Sequence, residues 1–141
     1  MRRLLIIGPI AALAVTGCGS TSKTTPAAPT AGAKLDAVPV TLTDFKIRPA
    51  SRQLQAGKTK FEVTNQGKMA HEFVVIDTKR PAAGLRKGKR ASEKGSLGET
   101  GNVKPGQSKT LVVNLRKGHY AVICNDPGHY MAGMHTDLYV S

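Results

Sequence analysis

From about residue 38 onward, apolar and polar residues alternate in short segments along the chain. In "KTKFEVTN" (58–65), Phe61 and Val63 fall on one face and charged or hydroxyl side chains on the other, which is the period of a half-buried β-strand. "SKTLVVNL" (108–115) repeats this pattern, and "HEFVVID" (71–77) is more continuously apolar, as in a strand covered on both faces. Further strand-like segments are "VPVTLTDFKI" (38–47), "HYAVIC" (119–124) and "TDLYVS" (136–141).

Glycine-containing turn motifs separate these segments, and no segment keeps a helical period over ten residues. Short strands divided by turns at this spacing predict an all-β fold, an antiparallel sandwich or barrel. A chain of 141 residues is long enough for one such domain. The turn motifs are "QAGK" (55–58), "NQGK" (65–68), "KPGQ" (104–107) and "RKGH" (116–119).

The first 18 residues have the order of charge and hydrophobicity typical of an export signal. Two arginines precede an apolar run from Leu4 to Val15 that is too short to span a bilayer comfortably. "VTGC" (15–18) then resembles the bacterial lipobox, which implies cleavage before Cys18 and lipid on that residue. We expect a lipoprotein signal peptide over residues 1–17 and an extracytoplasmic, membrane-anchored protein, periplasmic or on the outer surface. The alternative is an ordinary secretory signal with an incidental cysteine.

The exported part keeps a strong positive charge. Residues 18–34 comprise the lipidated cysteine and a flexible Ser/Thr/Pro/Ala/Gly tether, and residues 35–141 form the domain. Removal of residues 1–17, which hold two arginines and no acid, lowers the formal net charge from +12 to +10. Such a charge favours an acidic partner or an anionic membrane surface, and export makes nucleic acid an unsuitable partner.

One segment, "KRPAAGLRKGKRASEKG" (79–95), concentrates this charge, with seven basic residues and one acid. It lies between strand-like regions and is predicted to be a long loop. Two interpretations stay open: a solvated, mobile excursion, or a positive patch that steers an acidic partner or rests on anionic lipid.

Residues 124–135, "CNDPGHYMAGMH", contrast with the rest of the chain because they have no lysine or arginine and carry soft donor atoms. Cys124 ends an apolar strand, "NDPG" predicts a turn directly after it, and His129 and Met134 follow, each after four intervening residues. Since Cys18 is assigned to lipid, Cys124 has no partner for a disulfide. Thiolate, imidazole and thioether together suit copper, whereas magnesium and calcium prefer oxygen ligands.

A second imidazole has to come from elsewhere in the chain. His71 opens a strand just after a turn, which matches the position of Cys124 at the end of its own strand. His119 lies at the opposite end of that strand, roughly 16 Å from Cys124, and His135 enters the last strand and is expected to turn away. The favoured ligand set is His71, Cys124, His129 and Met134, with Met131 as the competitor of Met134 for the axial position. Met69 is expected to pack rather than to line the site.

The segment "GHYAVICNDPGHYMAGM" (118–134) resembles the copper-binding end of the cupredoxins, the family of plastocyanin, azurin and rusticyanin, and its ligand spacing resembles the rusticyanin form. The resemblance implies a Greek-key β-sandwich of about eight strands over about residues 36–141, with one mononuclear copper ion near one end. It departs from the family at Glu72, because many small cupredoxins have there an asparagine that ties the two ligand loops together. Asn125 is a candidate for part of that tie.

This ligand arrangement favours an electron carrier over an enzyme. A trinuclear copper cluster needs paired histidines, and Cys124 is flanked by Ile123 and Asn125; a binuclear centre needs two cysteines in one loop. A single ion held by four protein ligands has no open position for a small-molecule substrate. We expect one-electron exchange with a redox partner, an acidic one being the candidate, at an uncharged surface around His129. The rival hypotheses are a copper storage or delivery protein of the cell envelope and a purely structural surface domain.

Overall fold

The structure is a computed structural model and describes residues 36–141. The predicted signal peptide, the predicted lipidation site Cys18 and the tether over 18–34 lie outside the described residues. Among the described residues, no helix is long and apolar enough to cross a membrane. The elements are β1 (Asp36–Thr43), β2 (Lys46–Pro49), β3 (Gln53–Leu54), β4 (Gly57–Asn65), β5 (Val74–Asp77), a 3-10 helix (Ala82–Leu85), β6 (Arg86–Lys87), β7 (Arg90–Ala91), β8 (Ser96–Glu99), β9 (Ser108–Leu115), β10 (Gly118–Ile123) and β11 (His135–Val140).

Two sheets form a β-sandwich, which confirms the predicted fold class. The first sheet has the strand order β2–β1–β4–β9 and the second the order β3–β11–β10–β5–β8, while β6 and β7 form a separate hairpin. Eight of these strands contain at least four residues, as the family resemblance implies, and β3, β6 and β7 contain two residues each.

Two strand pairs are parallel, in addition to the antiparallel pairs that the sequence predicts. Strand β1 pairs in parallel with β4, and β3 pairs in parallel with β11. The chain runs from β1 through β2 and then through β3 in the other sheet before it returns as β4. Such a crossover brings β4 into the first sheet in the direction of β1, which a tight hairpin does not allow.

The alternating pattern fills the space between the sheets. Phe61 and Val63 of β4 are fully buried, whereas Glu62 between them is exposed. The Phe61 ring packs against Phe73, with ring centroids 5.1 Å apart. Both sheets contribute to one apolar cluster, and Cys124 and Met134 belong to it, so the predicted ligands lie at the edge of the main core. Its largest fully buried members include Tyr120, Phe61, Phe73, Leu42, Leu115 and Leu138.

The segment 38–47, predicted as one strand, is a hairpin. Its chain reverses at Asp44 and Phe45, and Leu42 of β1 pairs with Ile47 of β2. Phe45 has a φ angle of 62°, a left-handed conformation that is costly for an aromatic residue. Without a glycine or proline at the reversal, the alternation continues across the turn and conceals it. Aspartate is the one turn-forming residue that marks the position.

Strand β5 begins at Val74, three residues later than predicted. His71 instead forms an isolated bridge with Val103, donating its N–H at 3.1 Å and accepting from the Val103 N–H at 2.7 Å. This two-bond anchor fixes the backbone of His71 before the strand starts.

The segment 79–95, called the basic lobe below, is folded rather than an irregular excursion. It contains the 3-10 helix and the β6–β7 hairpin, and Leu85, Ala82 and Ala91 pack in a second apolar cluster with Ile123 and other residues of β5 and β10. All seven of its basic residues are exposed. The positive charges of the lobe are therefore carried by a segment that is packed against the sandwich.

Tyr120 closes the turn between β9 and β10. Its hydroxyl donates to the carbonyl oxygen of Arg116 at 2.9 Å and accepts from the Arg116 N–H at the same distance, while its ring lies in the core. This is the arrangement of a tyrosine corner, in which one hydroxyl satisfies both backbone groups of a turn residue.

We expect Tyr120→Phe to lower the free energy of unfolding by about 1–3 kcal/mol, because both hydrogen bonds are lost at a partly buried position. Urea unfolding of the metal-free domain measures the change. Tyr139→Phe is the matched control, since Tyr139 is 47% exposed, and we expect its effect to stay within about 0.5 kcal/mol. Equal losses in the two variants would contradict a special role for the turn.

Candidate metal centre

Three donor atoms converge at one end of the sandwich. Nδ1 of His129 lies 3.1 Å from Nδ1 of His71 and 3.4 Å from Sγ of Cys124. The donor atoms of the three residues all lie within 4.8 Å of one another. His71 and Cys124 are fully buried, and the His129 side chain is 13% exposed. The structure thus brings together three of the four predicted ligands, from two distant parts of the chain.

The loop from Cys124 to Met134 is held by its own backbone. The Cys124 N–H donates to the carbonyl oxygen of Met134 at 3.0 Å, and the Met134 N–H donates to that of His129 at 3.1 Å. Gly128 and Gly133 adopt φ angles of 86° and 96°, which favour glycine and allow the tight reversals. Met134 is fully buried beside Cys124 in the core cluster, whereas its competitor Met131 is 43% exposed.

The sulfur of Cys124 is a buried thiol that needs a metal to ionise. Burial raises the pKa of Cys124 to about 12, and a hydrogen bond from the Glu72 N–H, 3.4 Å from Sγ, opposes that rise. Near neutral pH the thiol therefore keeps its proton until a metal ion displaces it. The same N–H remains available to stabilise the thiolate that results.

Glu72 provides the tie between the two ligand loops. Its carboxylate accepts a hydrogen bond from the Asn125 N–H at 2.8 Å, and its own N–H points at the Cys124 sulfur. The Asn125 side chain, the other candidate, bonds instead to the backbone of Ala91 and to Glu93 in the basic lobe. Glutamate thus makes the inter-loop contact that the resemblance assigns to asparagine.

Two further residues at the site come from the β1–β2 turn. Oδ1 of Asp44 lies 3.1 Å from Nε2 of His71, the ring nitrogen that faces away from the other donors. The Phe45 ring meets the His129 ring edge-on, with centroids 5.4 Å apart. Neither residue was predicted from the sequence, where only the aspartate in the concealed turn signals this position.

The two remaining histidines lie outside the cluster, as expected. His119 contacts the carbonyl oxygen of Thr78 at 2.7 Å and Asp137 at 2.9 Å. His135 opens β11 and packs against the Tyr130 ring. The prediction that Met69 packs is wrong, because this residue is 38% exposed.

The donor chemistry fits one copper ion. A thiolate and two imidazoles are soft or borderline ligands, which copper accepts and which magnesium and calcium do not prefer. The small separations leave room for a single ion among His71, Cys124 and His129. In His71, the contact of Nε2 with a carboxylate leaves Nδ1 free to donate its lone pair.

Comparison with known proteins agrees with this chemistry. A sequence profile of the family described as Cupredoxin-like domain matches residues 9–136. The copper-resistant cuproprotein CopI of Pseudomonas aeruginosa is 27% identical over 129 residues, and the match covers 69% of this chain and 71% of that protein.

Solved structures of low sequence identity share the fold. Reduced auracyanin from Roseiflexus castenholzii superposes with a TM-score of 0.58 at 16% identity, covering 78% of this chain and 99% of that one. Rusticyanin from Thiobacillus ferrooxidans superposes with a TM-score of 0.59 at 15% identity, covering 75% of this chain and 78% of that one. These likenesses establish the architecture.

The tie residue leads to a prediction about pH and stability. Burial is the largest cause that raises the pKa of Glu72 above its ordinary 4.5; the hydrogen bond from Asn125 opposes it, and neighbouring carboxylates reinforce it. As the pH rises above that ordinary value, the unfolded chain loses its proton first, so ionisation of Glu72 lowers the free energy of unfolding. Glu72→Gln avoids this loss and keeps an oxygen that accepts from the Asn125 N–H. The metal-free variant should therefore be more stable than the wild type at about pH 7, with a difference that vanishes below about pH 4.5.

Urea unfolding of both proteins across this pH range measures the difference, and Glu62→Gln, at an exposed position of β4, controls for the loss of a carboxylate. A Glu72→Gln domain that is less stable at about pH 7 would show that the charge itself strengthens the tie.

Proposed function

Because the chain belongs to the cupredoxin-like domain family, we propose that it holds copper as a mononuclear type 1 centre and carries single electrons between redox partners. The observation that carries the proposal is the convergence of His71 Nδ1, Cys124 Sγ and His129 Nδ1 in a largely buried group. Met134 would be the fourth ligand of the copper, because it is buried with Cys124 in the core cluster while Met131 is exposed. When bound, copper supplies a one-electron couple between its cuprous and cupric states.

The surrounding residues suit electron exchange because they hold the donors in one arrangement. The Val103 bridge fixes His71, and the Met134 carbonyl oxygen fixes the backbone of Cys124. Glu72 links the two loops. Donors that do not rearrange between oxidation states keep the reorganisation small, and a buried four-ligand site offers no position to a substrate. We therefore assign no catalytic activity to this centre.

His129 is the proposed point of contact with the redox partner. It is the one partly exposed member of the cluster, and Asp126, 4.0 Å from its Nδ1, is the one charged residue of its loop. Phe45 extends this surface because it packs on the His129 ring and is itself 39% exposed. A partner can approach the uncharged part of this surface without burying an unpaired charge. The other exposed residues of the surface are Pro127, Gly128, Met131, Ala132 and Gly133.

The basic lobe is proposed to attract an acidic partner over a longer range. The lobe carries seven exposed cations and is hydrogen-bonded to the metal loop. The Asn125 side chain accepts from the Ala91 N–H. The Tyr130 hydroxyl donates to the carbonyl oxygen of Ala82 at 2.7 Å and accepts from the Leu85 N–H at 2.9 Å. Complementary charge raises association rates without having to add contacts at the electron-transfer surface.

Outside the described residues, the pattern of residues 2–18 supports a proposal about location. A basic start, an apolar run and the lipobox-like "VTGC" would place the domain outside the cytoplasmic membrane on a lipid attached to Cys18. Metabolic labelling with a fatty acid analogue, compared between wild type and Cys18→Ser, tests this assignment.

A second function, copper storage or delivery in the cell envelope, is supported by the similarity to one relative, a copper-resistant cuproprotein. The two functions differ in how firmly the metal is held. A carrier retains copper through many oxidation cycles, whereas a delivery protein gives it up quickly to a competing ligand. Slow reduction combined with rapid loss of copper to a chelator would favour delivery.

We predict that the purified domain binds one equivalent of copper, shows an intense visible thiolate-to-copper charge-transfer band and undergoes reversible one-electron reduction. Cys124→Ser should abolish the band, since the hydroxyl does not replace the thiolate. Met134→Leu should keep the band and change the reduction potential, while Met131→Leu, the matched control, should leave both unchanged. Absorption spectroscopy, metal analysis and voltammetry provide the three measurements. A wild-type domain without the band would refute the type 1 assignment.

For the basic lobe, we predict that Lys87→Glu combined with Lys89→Glu slows electron exchange with an acidic partner by at least about tenfold at low ionic strength, with the difference disappearing at high salt. Stopped-flow measurement of the bimolecular rate against ionic strength tests this. Lys58→Glu combined with Lys117→Glu is the control. It changes the net charge by the same amount, at the start of β4 and after the end of β9, which is the end of the sandwich opposite the metal loop. Equal slowing in both pairs would mean that only net charge matters.

A further inference from the structure

The outward nitrogen of His71 has an ionisable partner. Nδ1 of His71 faces the other donor atoms, and Nε2 lies 3.1 Å from Oδ1 of Asp44. The imidazole is fully buried, and the Asp44 side chain is 33% exposed, so the carboxylate lies between the buried ring and the solvent. A carboxylate accepts hydrogen bonds and does not donate them when ionised, so this contact places the ring proton on Nε2 and leaves Nδ1 as the metal-binding atom.

The loop that follows β4 is shaped around this carboxylate. Oδ1 of Asp44 also accepts from the Lys68 N–H at 2.9 Å and from the Met69 N–H at 3.3 Å. At Gly67 a Cβ atom would lie 2.4 Å from Asp44 Oδ1 and 3.0 Å from His71 Nε2. Only glycine therefore allows the chain to pass this close to the aspartate–histidine pair.

The loop is anchored independently of the metal loop. The buried Asn65 side chain accepts from the Gly67 N–H at 2.8 Å and donates to the carbonyl oxygens of Met69 and Val103 at 2.7 and 2.8 Å. Val103 is also the backbone partner of His71. The position of Asp44 Oδ1 is thus fixed by groups that bind no metal, and the imidazole is oriented against a fixed acceptor.

From this geometry, and resting on the proposed copper function, we propose that Asp44 is a positioning residue of the metal centre whose carboxylate fixes His71 and favours the cupric over the cuprous state. An anionic acceptor on Nε2–H increases the electron density that Nδ1 donates, and the more highly charged ion gains more from a stronger donor. Substitution of such outer partners changes metal affinity by about 10–100-fold.

A purely structural role for Asp44 makes a different prediction. If the carboxylate served only to cap the N–H groups of Lys68 and Met69, its replacement would loosen the loop and weaken both oxidation states of copper equally. The reduction potential reports the ratio of the two affinities, so an equal loss leaves it unchanged. The potential therefore separates a positioning role from a structural one.

The test compares Asp44→Asn with Asp137→Asn in the copper-loaded protein. Asparagine keeps the size and one acceptor oxygen of aspartate and removes the charge. Asp137 forms the matching pair with His119 Nε2 at 2.9 Å, is similarly exposed at 32%, and has no contact with the donor cluster. We expect Asp44→Asn to weaken cupric relative to cuprous binding by about tenfold, a rise of about 59 mV for one electron, and Asp137→Asn to change the ratio by much less.

Proton NMR of the cuprous protein provides the second readout. The His71 Nε2–H should give a slowly exchanging signal in the wild type, and Asp44→Asn should shift it and accelerate its exchange while Asp137→Asn leaves it in place. The proposal would be overturned if wild type and Asp44→Asn had equal reduction potentials, or if the two variants shifted the potential equally. Either result would leave the copper function intact, provided that the wild-type protein shows its charge-transfer band. A wild-type protein that lacks a reversible couple would overturn the copper function and this inference together.

Discussion

The metal centre depends on the contact between two loops that extend from the same end of the paired strands β5 and β10. One loop carries His71 and Glu72 and the other carries Cys124 and Asn125, and the hydrogen bond from the Asn125 N–H to the Glu72 carboxylate links them. The N–H of Glu72 points back to the Cys124 sulfur, so this one residue contacts two adjacent residues of the other loop. Because His71 precedes β5 and Cys124 follows β10 in the same sheet, these contacts hold the two donors together at one end of that strand pair.

The use of glutamate in this tie has an electrostatic consequence. The carboxylates of Asp126, Glu99 and Glu93 all raise the pKa of Glu72, so several of the nine acids of the chain are gathered near one loop. Asp126 also lies 3.8 Å from the Cys124 sulfur. Negative charge at this distance favours a cation in the site, and it favours the cupric ion more than the cuprous one. Asp44 acts in the same direction from the other side, on His71.

Much of this arrangement is predictable from the sequence, because strand alternation and ligand spacing are local signals. The faces of β4 and β9 and the strand-end position of Cys124 follow from the period of the apolar residues, and the turn after Cys124 follows from "NDPG". His71 is accessible to the same reasoning, since a loop-to-strand junction is where a second ligand is expected. The β-sandwich follows from these strands and from the family resemblance, while the parallel pairing of β1 with β4 depends on a crossover that alternation does not report.

Asp44 and Phe45 show where local signals end. The turn that carries them lacks glycine and proline, and Phe45 takes a positive φ angle that its residue type disfavours. The sequence separation of residues 44 and 71 does not reveal the contact between the carboxylate and the imidazole. The contact arises because β4 pairs with β1 and the loop after β4 passes the turn that carries Asp44. The basic lobe has the same character: its charge is visible in the sequence, but its attachment depends on the Tyr130 hydroxyl reaching the 3-10 helix from the metal loop.

That attachment makes the metal loop part of both the metal centre and the packing of the basic lobe. Tyr130 directly follows His129 and is buried in the second apolar cluster, and Asn125 directly follows Cys124 and bonds to β7. Two of the donor residues are therefore neighbours in sequence of residues that hold the basic lobe. An acidic protein attracted to the lobe, as proposed, would meet a segment that is hydrogen-bonded to the metal loop, so that long-range attraction would bring it close to His129.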